Sequence, residues 1–325
     1  MAVADLALWT PVAINLGPGA ATIDWGDLRG VRFAEPFLHQ TIERWAGGDP
    51  APLVRTGMDA LAALDDAPAL DPTALIFHLS RCGSTLLSRL LGTVPGTLVV
   101  SEPAPVNTLL LADPAAFAPL TQAEALRLLV RALGRRRFGD EHRYIVKLSS
   151  WNVTRLALFR AAFPNVPVIW LQRAPEATAA SLLAQPPGWL ALRHDKAASR
   201  AIFALDGPAL RSPEAFCAGA IAALLAAAST INDPALVLDY AELPEAAWLR
   251  VLPFLGIAPV AEDIAAMHAM ACYDAKDAAP RLFAGQAARP PLASELRADL
   301  AAVAEPLYRT LNARRSRDFT GAAAL

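Results

Sequence analysis

Four ionisable side chains stand where short apolar runs stop: Arg81 after A-L-I-F-H-L, Glu102 after T-L-V-V-S, Lys147 within Y-I-V-K-L and Arg173 after V-I-W-L-Q. A carboxylate in such a place can accept a proton, and the three cations can hold an anion and spread its charge. The first run continues as S-R-C-G-S-T-L-L over positions 80–87. Small residues in a turn that opens a helix leave backbone N–H groups pointing outward, where the helix dipole favours negative charge. Gly83 allows close backbone approach, Ser84 and Thr85 carry donor hydroxyls, and Arg81 can pair with phosphate oxygens through its planar fork. No G-x-x-x-x-G-K-[ST] sequence occurs, so this is not a Walker A loop. The same residues also suit an ordinary strand-turn-helix, and Glu102 also suits a cap on the turn that begins at Ala104.

These groups meet only if the apolar runs are neighbouring parallel strands, since ligands gather beyond the carboxyl ends of such strands. Residues 74–79, 97–101, 144–148, 168–172 and 235–240 have the length and composition of buried strands. A buried strand disfavours Lys, so Lys147 either turns into the crevice or pairs with a neighbouring carboxylate. Between the strands the spacing predicts helices. One carries Leu86, Leu87, Leu90 and Leu91 on a single face, and another covers 121–133 behind a Thr121-x-x-Glu124 capping box. Further helices are expected over 151–163 behind Ser149 or Ser150, from Pro175 onward, over 213–231 and over 248–255. Residues 185–207, with Pro186-Pro187-Gly188, read as a loop in which His194 is an alternative base. Arg135-Arg136-Arg137 reads as a solvated helix end, and His78 as a hydrogen-bonded core residue. In the N-terminal part, Pro11, Gly17-Pro18-Gly19 and Gly26 punctuate short strands, and 36–45 and 58–64 suggest helices. After 261 the chain reads as helical, broken at Pro290-Pro291.

S-R-C-G-S-T-L-L resembles the phosphosulfate-binding loop of the sulfotransferases that use 3'-phosphoadenosine-5'-phosphosulfate, with Ser80 and Cys82 standing where Pro and Ser are frequent. R-A-P-E-A-T-A-A-S-L, from Arg173 on, is similar to the 3'-phosphate-binding segment of the same family, and L-D-Y-A-E-L at 238–243 to a later structural motif. The pattern is closest to the tyrosylprotein-type and bacterial branch and covers about 73–255. The resemblance implies an α/β fold of three α/β/α layers. The mostly parallel sheet would be of the P-loop, nucleotide-kinase-like kind, with a helical C-terminal tail. It implies that Arg81, Cys82, Gly83, Ser84, Thr85, Arg173 and Ser181 bind the donor. Glu102 would be the general base, with Lys147 and Arg81 beside the transferring sulfuryl group, and no metal would be needed. The acceptor would be a small molecule or a peptide, sulfated on a hydroxyl or, less favourably, an amine. Tyr273, Lys276 and Arg281 lie where the family closes a basic segment over the nucleotide. Two rivals stay open. One is a non-catalytic nucleotide-binding or interaction protein of the same fold. The other is a phosphate-ester hydrolase or kinase, although a thiol phosphatase loop would need Arg where Ser88 stands.

With 325 residues, 54% of them hydrophobic, the chain can bury a sizeable core. The composition and punctuation suggest an N-terminal extension over 1–70, a nucleotide-binding core over 71–260 and a helical segment over 261–325. A net charge of −2 gives no support to a nucleic-acid or anionic-membrane partner. Cys82, Cys217 and Cys272 are few and widely spaced, which argues against a disulfide framework or zinc cluster and fits a reducing, cytoplasmic setting. The longest uncharged run, 215–232, falls short of a membrane span of ~20 residues. A homodimer remains open.

Overall fold

The computed structural model describes residues 3–17, 19–47, 52–232, 234–277, 279, 281–285 and 291–322. Pro18 and Pro290, marked above as part of a turn and of a break, lie outside the described residues. The strands among the described residues are β1 (Thr10–Asn15), β2 (Thr22–Gly26), β3 (Leu53–Gly57), β4 (Ala74–His78), β5 (Thr97–Ser101), β6 (Arg143–Lys147), β7 (Val168–Gln172) and β8 (Ala235–Asp239).

Five of them form one sheet in the order β5-β6-β4-β7-β8, and every neighbouring pair is parallel. All residues of β4 and β7 are buried, as parallel strands must be when helices cover both faces. The long helix Pro213–Ser229 contributes Phe216, Cys217, Ile221 and Leu224 to that cover. Phe77 of β4 meets Phe159 edge-on at 5.2 Å. The result is a three-layer α/β/α fold with a helical C-terminus, Ala261–Ala271, Ser294–Val303 and Glu305–Ala322. β4 sits between β6 and β7, so the chain builds one half of the sheet on one side of it and the other half on the other. Beyond the carboxyl end of β4 lies the switch point where such sheets bind ligands. The Thr121 capping box forms as its spacing requires: Thr121 Oγ1 accepts from the Glu124 N–H at 3.2 Å, and Glu124 Oε2 accepts from the Thr121 N–H at 2.8 Å.

β1, β2 and β3 make a separate antiparallel sheet in that order. Its middle strand buries Trp25, whose indole N–H donates to Thr56 Oγ1 at 2.9 Å. This sheet corrects the solvated reading of the Arg135–Arg137 run. Arg135 is 2% exposed and Arg137 8%, and only Arg136 faces solvent. Arg135 donates to the carbonyls of Leu6 and Trp9 and lies over the Trp25 ring at 5.3 Å. Arg137 donates to the Leu133 carbonyl at 3.0 Å and lies over Phe33 at 4.0 Å. The N-terminal segment covers this helix end, and a guanidinium tolerates the burial because carbonyls and ring faces replace its water.

Two other expectations change. Residues 185–207 are largely helical, as Gly188–His194 (a 3-10 helix) and Lys196–Phe203, the latter capped by Asp195 accepting from the Ala198 N–H at 3.0 Å. Trp189, Phe203 and Phe216 cluster there, and that apolar contact outweighs the local turn signals. The helix expected over 151–163 is split into a 3-10 turn, Ser150–Arg155, and an α-helix, Leu156–Ala162.

Candidate active site

β4 ends at His78, and the chain turns through Arg81 and Gly83, both with left-handed backbone, φ 63° and 85°. Gly83 is required twice over. A Cβ there would lie 2.8 Å from Leu243 Cδ1 and 2.9 Å from Tyr240 Cδ2. The helix Ser84–Leu91 then starts without a side-chain cap. Among the described residues no protein acceptor meets the N–H groups of Thr85 and Leu86. Uncapped amides at a helix start, at the carboxyl end of a central strand, form a site for an anion. Ser84 and Thr85 are buried there.

Cys82 faces inward. Its thiol donates to the Leu171 carbonyl at 3.2 Å, and burial pushes its pKa up to about 12. It shapes the turn and is not a thiolate at neutral pH.

Beside this loop, Glu102 and Lys147 meet. Ser101 and Lys147 are register partners at the ends of β5 and β6, and the Glu102 N–H donates to the Lys147 carbonyl at 2.7 Å. Glu102 takes a left-handed φ of 49°, which carries its carboxylate back over the strand tips. There it accepts a hydrogen bond from the Lys147 ammonium in a direct ion pair. The Lys147 side chain is fully buried and that of Glu102 29% exposed. Burial alone would raise the Glu102 pKa. Lys147 overrides it, and the net effect lowers the pKa, so the carboxylate is ionised. The helix Ala104–Leu111 that follows has no side-chain cap, so Glu102 does not cap it.

Arg173 and Ser181 approach the loop from the other side. Ser181 lies on the helix Pro175–Ala184, and its Oγ accepts from Arg81 Nε at 2.8 Å. Arg81 also donates to Gln185. Arg173 donates to the Arg81 carbonyl at 3.4 Å and lies 4.5 Å from the Tyr240 ring centroid. The seven positions singled out for the donor thus form one cluster around the turn. The Arg81 guanidinium is engaged on the Ser181 side of that cluster.

His78, Asn107, Phe37 and Lys276 also join the site, and of these only Asn107 and Phe37 were not marked by the sequence. His78 Nε2 lies 3.9 Å from Glu102 Oε1 and 2.9 Å from the Leu148 carbonyl. Burial, then the nearby Lys147 charge, drops its pKa to about 4, so the ring is neutral. The core-residue expectation holds, but the core position touches the site. Asn107 donates to Ser149 Oγ at 2.9 Å and accepts from Asn152 Nδ2 at 3.0 Å, tying the helix after β5 to the tip of β6. Phe37, from the N-terminal part, lies 4.9 Å from Lys147 Nζ. Lys276 is drawn to a pKa of about 8 by burial first, then by Arg81 and Lys147. Its segment is held by Arg89, which donates to the Asp277 carbonyl at 2.8 Å. Nothing in local spacing marks Asn107 or Phe37: Phe37 arrives from the N-terminal part of the chain, and Asn107 acts through partners 42 and 45 residues away, Ser149 and Asn152. His194, the alternative base, lies at the end of the 3-10 helix Gly188–His194, and no contact links it to Glu102 or Lys147 among the described residues.

No protein-family profile matches the chain, and no curated protein does. Solved structures similar in shape include three sulfotransferases. A sulfotransferase from Alicyclobacillus acidocaldarius is 15% identical, with a TM-score of 0.41 over 76% of this chain and 96% of its own. Sulfotransferase STF1 from Mycobacterium tuberculosis is 15% identical, with a TM-score of 0.41 over 75% and 77%. Sulfotransferase STF9 from Mycobacterium avium is 13% identical, with a TM-score of 0.41 over 70% and 71%. Among the described residues no group of His, Cys, Asp and Glu is arranged to hold a metal ion, and no helix is long and apolar enough to cross a membrane.

Proposed function

We propose that this chain is a sulfotransferase that moves a sulfuryl group from 3'-phosphoadenosine-5'-phosphosulfate to an acceptor hydroxyl or, less favourably, an amine. One observation carries the reading. The unmet amides of Thr85 and Leu86 lie at the end of β4, while a paired base and cation lie on the same side of the sheet, Lys147 at the end of the neighbouring β6 and Glu102 just past the end of β5 beyond it. An anion donor and a proton acceptor can be served there together. The donor fits the donor set: amides and Arg81 for the 5'-phosphate, Arg173 and Ser181 for the 3'-phosphate, with the Gly83 approach free of a Cβ.

In this reading the acceptor oxygen forms its bond to sulfur as the bond from sulfur to the 5'-phosphate oxygen breaks. The acceptor proton passes to Glu102. The Lys147 ammonium has three donors and spends one on Glu102, so the others can serve the sulfuryl oxygens. As Lys147 turns to the sulfuryl group its hold on Glu102 weakens, which strengthens the base at the moment it is used. The buried Cys82 thiol tells against the thiol-phosphatase alternative.

The test joins binding and turnover. The 3',5'-bisphosphate of adenosine should raise the melting temperature more than 5'-ADP at equal concentration, and Arg173→Ala should abolish the difference. In a labelled-donor screen over phenols, alcohols and amines, Glu102→Gln should lose ~10²–10⁴-fold in single-turnover rate while keeping its affinity for the bisphosphate. Equal melting shifts for the two nucleotides would remove the donor assignment. Full transfer by Glu102→Gln would remove Glu102 as base. Selective binding without transfer to any acceptor would return the non-catalytic alternative.

A further inference from the structure

β5 is an edge strand of the parallel sheet, and its side chains are Thr97, Leu98, Val99, Val100 and Ser101. Edges are usually protected by charge, proline or a bulge, and β5 carries none of these. Its pairing fixes which backbone groups face outward. The Glu102 N–H donates to the Lys147 carbonyl across the β5-β6 ladder, so the even-numbered residues turn their amides toward β6. Val99 and Ser101 therefore turn theirs outward, and among the described residues nothing accepts from either N–H. Across from this edge runs the irregular stretch 31–35, in which the N–H groups of Phe33 and Ala34 likewise have no acceptor among the described residues. Between them lies a cavity of about 260 Å³, lined by Val31, Phe33, Ala34, Thr97, Val99 and Ser101 among others. Most of the charged groups at its margin are engaged: Arg137 over Phe33, Arg32 over Phe138, Arg89 with the Asp277 carbonyl, Glu35 with Arg44, and Glu141 with the Arg137 and Gly139 amides, while Asp140 is exposed.

We propose that this slot docks an extended polypeptide segment of a partner, added as a strand to β5. A polypeptide supplies alternating donors and acceptors at strand spacing, which is what the open edge of β5, with its outward Val99 and Ser101 amides, can use. Specificity would come from alternate side chains that meet Phe33 and Val99. The end of the slot at Ser101 is one residue from Glu102, so a docked segment leaves it beside the site described above. The inference does not rest on sulfuryl transfer, because binding is read without donor or turnover.

The probe is a display library of random seven-residue peptides with blocked ends, selected on the full chain. Enriched peptides are then resynthesised with N-methyl groups at each position in turn, which removes one backbone donor without changing the side chains. Ala34 is exposed and lines the slot, so Ala34→Trp fills it without touching the catalytic cluster. The expected result is a loss of about 10-fold or more at alternate N-methyl positions, with about 2-fold or less at those between, and a similar loss for Ala34→Trp. If Ala34→Trp melts earlier than the parent, Val31→Trp replaces it. No enriched peptide, or peptides indifferent to either N-methylation or slot filling, overturns the proposal.

Discussion

Lys147→Met keeps an unbranched apolar stem and removes the charge that meets Glu102. Breaking a buried ion pair by removing one partner costs ~3–5 kcal/mol. The Glu102 side chain is 29% exposed, so water recovers part of that cost, and we expect about 2–3 kcal/mol at pH 7. Glu102→Gln keeps an acceptor oxygen for the ammonium and should cost less, about 1–2 kcal/mol. The double variant should lose less than the sum, with a coupling of about 2 kcal/mol. The pH dependence has a definite sign. Lys147 holds the folded-state pKa of Glu102 below its ordinary value. A depressed carboxyl pKa contributes stability above the unfolded value of about 4.3 and loses it as pH falls through the folded value. Without Lys147, burial raises the Glu102 pKa, so the gap between the parent and Lys147→Met should begin to shrink above the ordinary carboxylate value and go on shrinking as pH falls through the parent's folded value. Urea denaturation of the four proteins at several pH values measures both quantities. A coupling under ~0.5 kcal/mol at pH 7, or a gap that widens in acid, would refute the pairing.

Two further outcomes follow from the turn. Gly83→Ala meets a left-handed φ and the Leu243 and Tyr240 side chains, so it should lower stability by about 2–4 kcal/mol in urea titrations; a loss below ~0.5 would mean that the turn relaxes freely. With iodoacetamide at pH 8, mass spectrometry should find exposed Cys272 alkylated while Cys82 and Cys217, each pushed up to about 12 by burial, are protected until urea is added; equal labelling of Cys82 would revive the hydrolase reading.

The central sheet was legible because its strands are continuous apolar runs bounded by turn residues. β5 and β7 fall where the run lengths place them, β4 and β8 end one residue earlier, and β6 is shifted by one residue at both ends. The positions of Glu102, Lys147, Arg81 and Arg173 were legible for the same reason, since a parallel sheet delivers whatever follows its strands to one crevice. Contacts made by distant segments were not legible. The three-arginine run looks solvated in one dimension and is buried because the β1–β3 sheet folds over it. The 188–203 helices were hidden behind Pro186-Pro187-Gly188, since an aromatic cluster with Phe216 stabilises them and no local periodicity does. Spacing alone also left two readings of Lys147 open, crevice or ion pair. The geometry joins them, because its partner is the crevice carboxylate itself.

Arg81 and Glu102 both take a backbone shape that suits glycine, at a cost of about 1–2 kcal/mol each. Replacing either with Gly would relieve that cost while deleting a charge from the crevice. At Glu102 the loss outweighs the relief, because Gly would leave the buried Lys147 charge unpaired, so a laboratory population selected only for heat resistance should drift toward Gly or Asn at Arg81 and keep Glu102. Retention of Arg81 would need selection on what the crevice does, so that residue reports whether a variant lineage has been kept for its activity or only for its fold.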